Sequence, residues 1–247
     1  MRLVIKDYST DGSSLSRGRC SQIIKVFKLC ESFGSSFVTY RGIQEEAESQ
    51  KIFGSTNAKS AIRTIFPLLK KIGFVNYPED RKFEANSFFT NLGKAFVNVL
   101  IALEITEQIS NKDVVSLIDK ARQNILLKGI ENLSKSEYCN HGILLAIEIL
   151  RQERVIHWDE FLFFLHGKQT GVSLSDAIKT AKSNRLKNET YDYVNSDGDP
   201  IKSTSYTYVR SFLYEAGVIP DSKGMISKLN FNKLEFLESL PPYEYYS

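Results

Sequence analysis

Two stretches of this chain read alike: "LLKKIGFVNY", Leu68 to Tyr77, and "FLYEAGVIPD", Phe212 to Asp221. Each has an apolar pair, two further residues, a small or apolar residue, a glycine, and a short apolar run into a polar turn. They lie 144 positions apart. Glycine after a helical pattern marks a stop, because only glycine enters the left-handed cap conformation cheaply. Each stretch therefore reads as the end of a helix passing into a strand. What flanks them decides whether the chain is built twice on one plan.

Around the first copy, "GRCSQIIKVFKLCESFG" places Ile23, Ile24, Phe27 and Cys30 at helical spacing. "SSFVTY" has brief strand character, and "RGIQEEAESQKIFG" returns to a short helix. In "STNAKSAIRTIFPLLKKIG", Ser55 or Thr56 caps a helix whose buried side is Ile62, Ile65, Phe66, Leu69 and Ile72. Pro67 lies inside this pattern and predicts a bend, since it removes a backbone donor and crowds the Arg63 carbonyl. "FVNY" and "FEANSFF" read as strands on either side of the polar turn "PEDRK", and Thr90 caps the helix that follows. The order is helix, short strand, two helices, ribbon, helix, which is that of a winged helix: a helix-turn-helix with a β-ribbon wing.

The second copy has the same order with an addition. "HGILLAIEILRQE" is an apolar helix, "RVIH" a short extended piece, and "WDEFLFFLHG" a second helix. "SLSDAIKTAKSNRLK" adds a basic helix and "NETYDYVNSDGDP" a loop before the helix "KSTSYTYVRSFLYEAG". Aligning Gly73 with Gly217 matches Ile62 with Tyr206, Ile65 with Val209 and Leu69 with Leu213, and sets Thr90 against Asn230 as caps after each wing. The expected fold is mainly α with small β-ribbons, an α+β chain of tandem winged-helix units. Residues 1–110 form the first, 111–136 a connecting helix, and 137–247 the second with its inserted helix and loop. Two unrelated helix-to-strand junctions are the alternative.

Composition is that of a soluble globular protein, with 42% apolar and 25% charged residues. "AFVNVLIALEI" is too short to span a bilayer and is interrupted by Asn98, so no membrane partner is expected. The N-terminus has no signal-peptide core, which predicts a cytoplasmic protein. Cys20, Cys30 and Cys139 are odd in number and widely spaced, against a disulfide framework. Cys139 and His141 supply only two of the four ligands that a structural zinc site needs. Net charge is +3, but residues 1–82 hold 14 Lys+Arg against 8 Asp+Glu, an excess that attracts an anionic polymer or merely solvates a surface.

No catalytic constellation emerges. Asp80-Arg81-Lys82 is an acid-x-lysine triplet of the kind that serves a metal-dependent nuclease, but it lies in a mixed-charge turn with no apolar strand to carry it. "GKQTG" lacks the spacing of a phosphate loop. The binding reading is better furnished. Residues at the start of a recognition helix meet base edges in the major groove. In the first unit these are Asn57, Lys59, Ser60 and Arg63, with Lys82 in the wing; Asn suits adenine, while Arg and Lys suit guanine. In the second they are Lys202, Thr204, Ser205, Thr207 and Arg210, joined by Lys179, Lys182, Arg185 and Lys187 of the inserted helix. Free amides at both helix starts are expected to hold phosphate. Solvated helix faces are the plain alternative.

The stretch "SAIRTIFPLLKKIGFVNY" with "SFFTNLGKAF" resembles the first winged-helix unit in the recognition half of type IIS restriction endonucleases, the FokI-like and related nicking enzymes. Pro67, Gly73, Phe74, Thr90, Gly93 and Lys94 match that pattern. "ILLAIEILRQERVIHWDEFLFFL" and "YTYVRSFLYEAGVI" resemble the second unit. The resemblance implies sequence-specific recognition of double-stranded DNA. Those enzymes continue into a metal-dependent nuclease domain, whereas this sequence ends at "PPYEYYS". Cleavage is therefore expected from a separate domain or from a nuclease subunit in trans, with Mg²⁺ needed only there and no cofactor for this chain. Two unlike units suit a monomer reading an asymmetric site. A dimeric winged-helix transcription regulator and a winged-helix protein-interaction module are the alternatives. The aromatic tail, with Tyr243, Tyr245 and Tyr246, is expected to dock on the protein's own core or on a partner.

Overall fold

The apolar spacing of the sequence becomes buried helix faces in the computed structural model, which describes residues 2–5, 14–109, 111–139, 141–201 and 204–243. The chain divides into two units, residues 11–136 and residues 137–247 together with 1–10. Strand β1 (Arg2–Val4) belongs to the latter.

Residues 11–136 hold α1 (Arg17–Phe33), β2 (Phe37–Val38), α2 (Tyr40–Ser49), α3 (Ala58–Lys71), β3 (Phe83–Glu84), α4 (Asn91–Ile109) and α5 (Lys112–Ser134). β2 and β3 pair antiparallel, Phe37 opposite Glu84 and Val38 opposite Phe83. The expected ribbon is short. Val75 and Phe89 form an antiparallel bridge and the Asn76 N–H donates to the Phe88 carbonyl at 2.9 Å, but residues 85–87 coil into a 3₁₀ turn and interrupt the returning strand. Aromatic rings fill the core: Phe27 meets Phe89 edge-on at 5.2 Å between centroids, Phe66 lies 5.4 Å from Phe88, and Phe74 lies 4.8 Å from Phe96. α3 continues through Pro67, whose missing N–H leaves the Arg63 carbonyl without its helical donor.

Residues 111–136 do more than connect. α5 packs along α4 and against the end of α3. A Cβ on Gly129 would lie 3.1 Å from the Phe74 ring and 3.2 Å from the Ile72 side chain, and the Asn132 amide donates to the Ile72 carbonyl at 3.3 Å.

The other unit holds α6 (Gly142–Glu153), β4 (Val155–His157), α7 (Phe161–Gln169), α8 (Leu174–Leu186), β5 (Asp192–Val194), α9 (Thr204–Glu215), β6 (Ile226–Lys228) and α10 (Leu234–Ser239). β4 and β6 pair antiparallel, Val155 opposite Lys228. β5 lies within the stretch read as loop, and it pairs in parallel with β1, Arg2 opposite Asp192. Its partner is some 190 residues away, so no local signal announces it. Tyr243 docks on its own unit, where its hydroxyl accepts from Lys168 Nζ at 2.9 Å; Tyr245 and Tyr246 lie outside the described residues.

Trp158 is fully buried and its indole N–H donates to Ser227 Oγ at 2.8 Å, tying the start of α7 to β6. Ser227→Ala leaves that donor unsatisfied in the core. The expected loss is about 1–3 kcal/mol of unfolding free energy. Urea unfolding followed by the fluorescence of Trp158, the single tryptophan, measures it.

The two stretches quoted first fold into the same junction. Gly73 and Gly217 have φ of +78° and +69°. Their N–H groups donate to Lys70 at 3.0 Å and Tyr214 at 2.8 Å. The next residues, Phe74 and Val218, donate to Leu69 at 2.8 Å and Leu213 at 2.9 Å. These bonds satisfy the last carbonyls of α3 and α9 and turn the chain out of the helix. Thr90 and Asn230 then close the junctions. Their backbone N–H groups donate to Phe74 at 3.0 Å and Val218 at 2.9 Å. Their side chains donate to the carbonyls of Gly73 at 2.7 Å and Gly217 at 2.9 Å. The sequence match is thus a match of hydrogen bonds, extending to the cap residues seventeen and thirteen positions beyond the glycines.

Candidate nucleic-acid interface

α3 separates its residues cleanly. Ala58, Ala61, Ile62, Ile65, Phe66, Leu68 and Leu69 are buried, while Lys59, Ser60, Arg63 and Thr64 are exposed on the opposite side. Lys59 and Arg63 stand one turn apart, and neither has an ion-pair partner among the described residues. Both remain available to an anion from outside. At the far end of the helix Lys70 Nζ lies 4.6 Å from the centre of the Tyr77 ring and 3.9 Å from Glu79. That contact holds the 78–82 turn, with exposed Lys82, beside the last turn of α3. Tyr77 stacks on Tyr40 at 4.0 Å, and Tyr40 donates to the Ile62 carbonyl at 3.3 Å. Burial raises the Tyr40 phenol above its ordinary pKa, so it stays a neutral donor.

The start of α3 corrects two expectations. The N-cap is Asn57, not Ser55 or Thr56, and its Oδ1 accepts from the Ser60 N–H at 2.7 Å. A bidentate contact to adenine needs that oxygen, so Asn57 serves the helix first. Nor are the terminal amides free. Glu48 at the end of α2 accepts from the Ala58 N–H at 2.6 Å and the Lys59 N–H at 3.3 Å. Its carboxylate sits at the positive end of the helix dipole, where it satisfies the helix and repels phosphate. Sequence reading missed Glu48 because it lies ten residues before Ala58, outside any capping-box spacing.

On α8 three of the four expected cations have an internal partner, and Lys187, just past its end, is exposed. Lys179 pairs with Asp176 at 3.4 Å, Lys182 with Glu153 at 2.5 Å, and Arg185 grips Glu160 with two bonds of 2.7 and 2.9 Å. Single exposed pairs are worth little, about 0–1 kcal/mol, and compete poorly with solvent. The two-pronged Arg185–Glu160 contact joins α8 to the start of α7 and gives Arg185 a structural role. On α9, Arg210 donates to the Gly224 carbonyl and lies 5.9 Å from the Tyr206 ring, and Thr207 has a partner of its own. Lys202 and the side chains of Thr204 and Ser205 fall outside the described residues. The exposed large side chains of α9 are Tyr208 and Tyr214.

No group of three or more His, Cys, Asp or Glu side chains stands together among the described residues in a way that could hold a metal ion. Asp80 and Lys82 of the acid-x-lysine triplet are both exposed in their turn. No helix among the described residues is long and apolar enough to cross a membrane. Searches of protein-family models, curated proteins and solved structures find no match to this chain.

Proposed function

We propose that this chain is a sequence-specific reader of double-stranded DNA built from two winged-helix units. It acts as the recognition part of a type IIS-like restriction endonuclease whose cleavage comes from another domain or chain. The observation that carries the reading is the exposed face of α3, where Lys59, Ser60 and Arg63 stand free on a helix that ends in the repeated glycine junction. Rigid packing on one side and unpaired cations with a hydroxyl on the other suit a helix that enters a major groove. Lys82 follows the backbone from the neighbouring turn. The restriction assignment rests on the resemblance around Pro67, Gly73, Thr90 and Gly93.

The second unit favours a different contact. Arg185 of its inserted helix is engaged by Glu160, and its α9 presents Tyr208 and Tyr214. Tyrosine is enriched in protein interfaces, and these two exposed rings suit a protein partner such as a nuclease subunit better than phosphate. Selection of bound duplexes from a randomised pool, followed by footprinting, tests the whole. The expected product is one short site without two-fold symmetry, protected by a monomer. A palindrome protected by a dimer makes the protein a transcription regulator, and an unenriched pool removes the DNA reading.

A further inference from the structure

The helix and loop that set the second unit apart from the first enclose a cavity of about 540 Å³. It lies between the start of α7, the last turns of α8, the 188–193 segment and the Tyr206 end of α9. Its volume falls within the roughly 300–1,000 Å³ usual for small-molecule sites. The walls are aromatic. Phe163 lies 5.3 Å from Tyr191, Tyr191 lies 6.2 Å from Tyr193, and Tyr206 closes another side. The charged lining is unbalanced: Asp159, Glu160 and Glu189 face one cation, Arg185. Glu160 is bonded by Arg185, whose charge also reaches Asp159, so three carboxylates share one cation; the Asp159 carboxylate makes no hydrogen bond among the described residues.

Ring faces and carboxylates attract the same kind of ligand. An aromatic face carries negative quadrupole density and attracts a cation set over it. A phosphate or carboxylate ligand would meet a lining with a net excess of acids. A neutral ring would stack but gain nothing from that excess of acids. Burial and the neighbouring acids raise the Tyr193 phenol above its ordinary range, so it enters this set neutral. We infer that this cavity binds a small organic cation, an amidinium, guanidinium or substituted ammonium on a compact body, held between the tyrosine rings and Asp159.

The site needs no DNA, so its test is separate from the reading of α3. Tyr206 lines the cavity and lies 6.1 Å from Trp158 with the two rings near parallel, so tryptophan emission reports occupancy. Benzamidine, its neutral isostere benzamide and the anion benzoate are titrated against the full chain, with calorimetry as a second readout. Benzamidine is expected to give a saturable change, and benzamide and benzoate to bind at least about tenfold more weakly, the size of one lost charge contact. Asp159→Asn, at an exposed position, should weaken benzamidine by a similar factor while leaving benzamide unchanged. Equal binding of benzamide, preference for benzoate, unaltered benzamidine binding in Asp159→Asn, or no saturable signal by either method would each overturn the proposal.

Discussion

Gly93→Ala should cost residues 11–136 their native packing, a loss of about 3 kcal/mol or more, the upper end for an overpacked site. Alanine is the better helix former, by about 1 kcal/mol, so local propensity predicts a gain. The clash decides the sign. A Cβ at Gly93 would stand 1.9 Å from the Phe74 carbonyl oxygen and 2.8 Å from its carbon. Backbone cannot rotate aside as a side chain can. The Phe74 carbonyl is also held by the Thr90 N–H at 3.0 Å, within the junction that ends α3. The substitution therefore forces α4 and the α3 exit apart together. Gly18→Ala in α1 is the contrast. Nothing lies within 4 Å of its added Cβ, and it should stabilise by about 0.4–1 kcal/mol. Thermal and urea unfolding of the two variants give opposite shifts.

The second large effect concerns binding. Arg63→Ala should reduce affinity for the selected duplex by about 1–3 kcal/mol and relax preference at one base position, as the loss of a bidentate guanine contact does. Arg63→Lys should not restore it, because an ammonium lacks the planar fork. Lys59→Ala should weaken all duplexes alike and lower the salt slope by about one ion. Arg185→Ala should leave DNA affinity unchanged and lower stability instead, since its guanidinium is engaged by Glu160. Site selection repeated with each variant separates these outcomes.

The junction was legible in the sequence because its determinants are local. Gly73 and Gly217 take the positive φ that their positions require, and Thr90 and Asn230 bond back across fewer than twenty residues. The buried side of α3 was equally plain, since apolar spacing alone fixes it. Long-range pairing was not legible. β5 looked like a polar loop because its partner, β1, lies at the other end of the chain. Charge was read at the level of residue type, and the structure redistributes it. Glu48, Glu153 and Glu160 come from neighbouring helices or their approaches to neutralise a helix start or a lysine and arginine on α8. A basic stripe in sequence counts cations, and only packing tells which acids come to meet them. Lys59 and Arg63 have no ion-pair partner among the described residues, since the one acid that reaches the start of α3, Glu48, is taken by the backbone amides of Ala58 and Lys59.

The salt dependence of binding to the selected duplex tests the central claim most directly. Fluorescence anisotropy is measured for the wild-type chain and the Lys59→Ala/Arg63→Ala double variant, on the selected duplex and a scrambled one, across a range of potassium chloride. A reader of duplex DNA through α3 gives a linear fall of log affinity with log salt, tighter binding to the selected duplex, and loss of both the preference and about two ions of slope in the double variant. Equal affinity for both duplexes with a flat salt response in wild type and variant alike would contradict it.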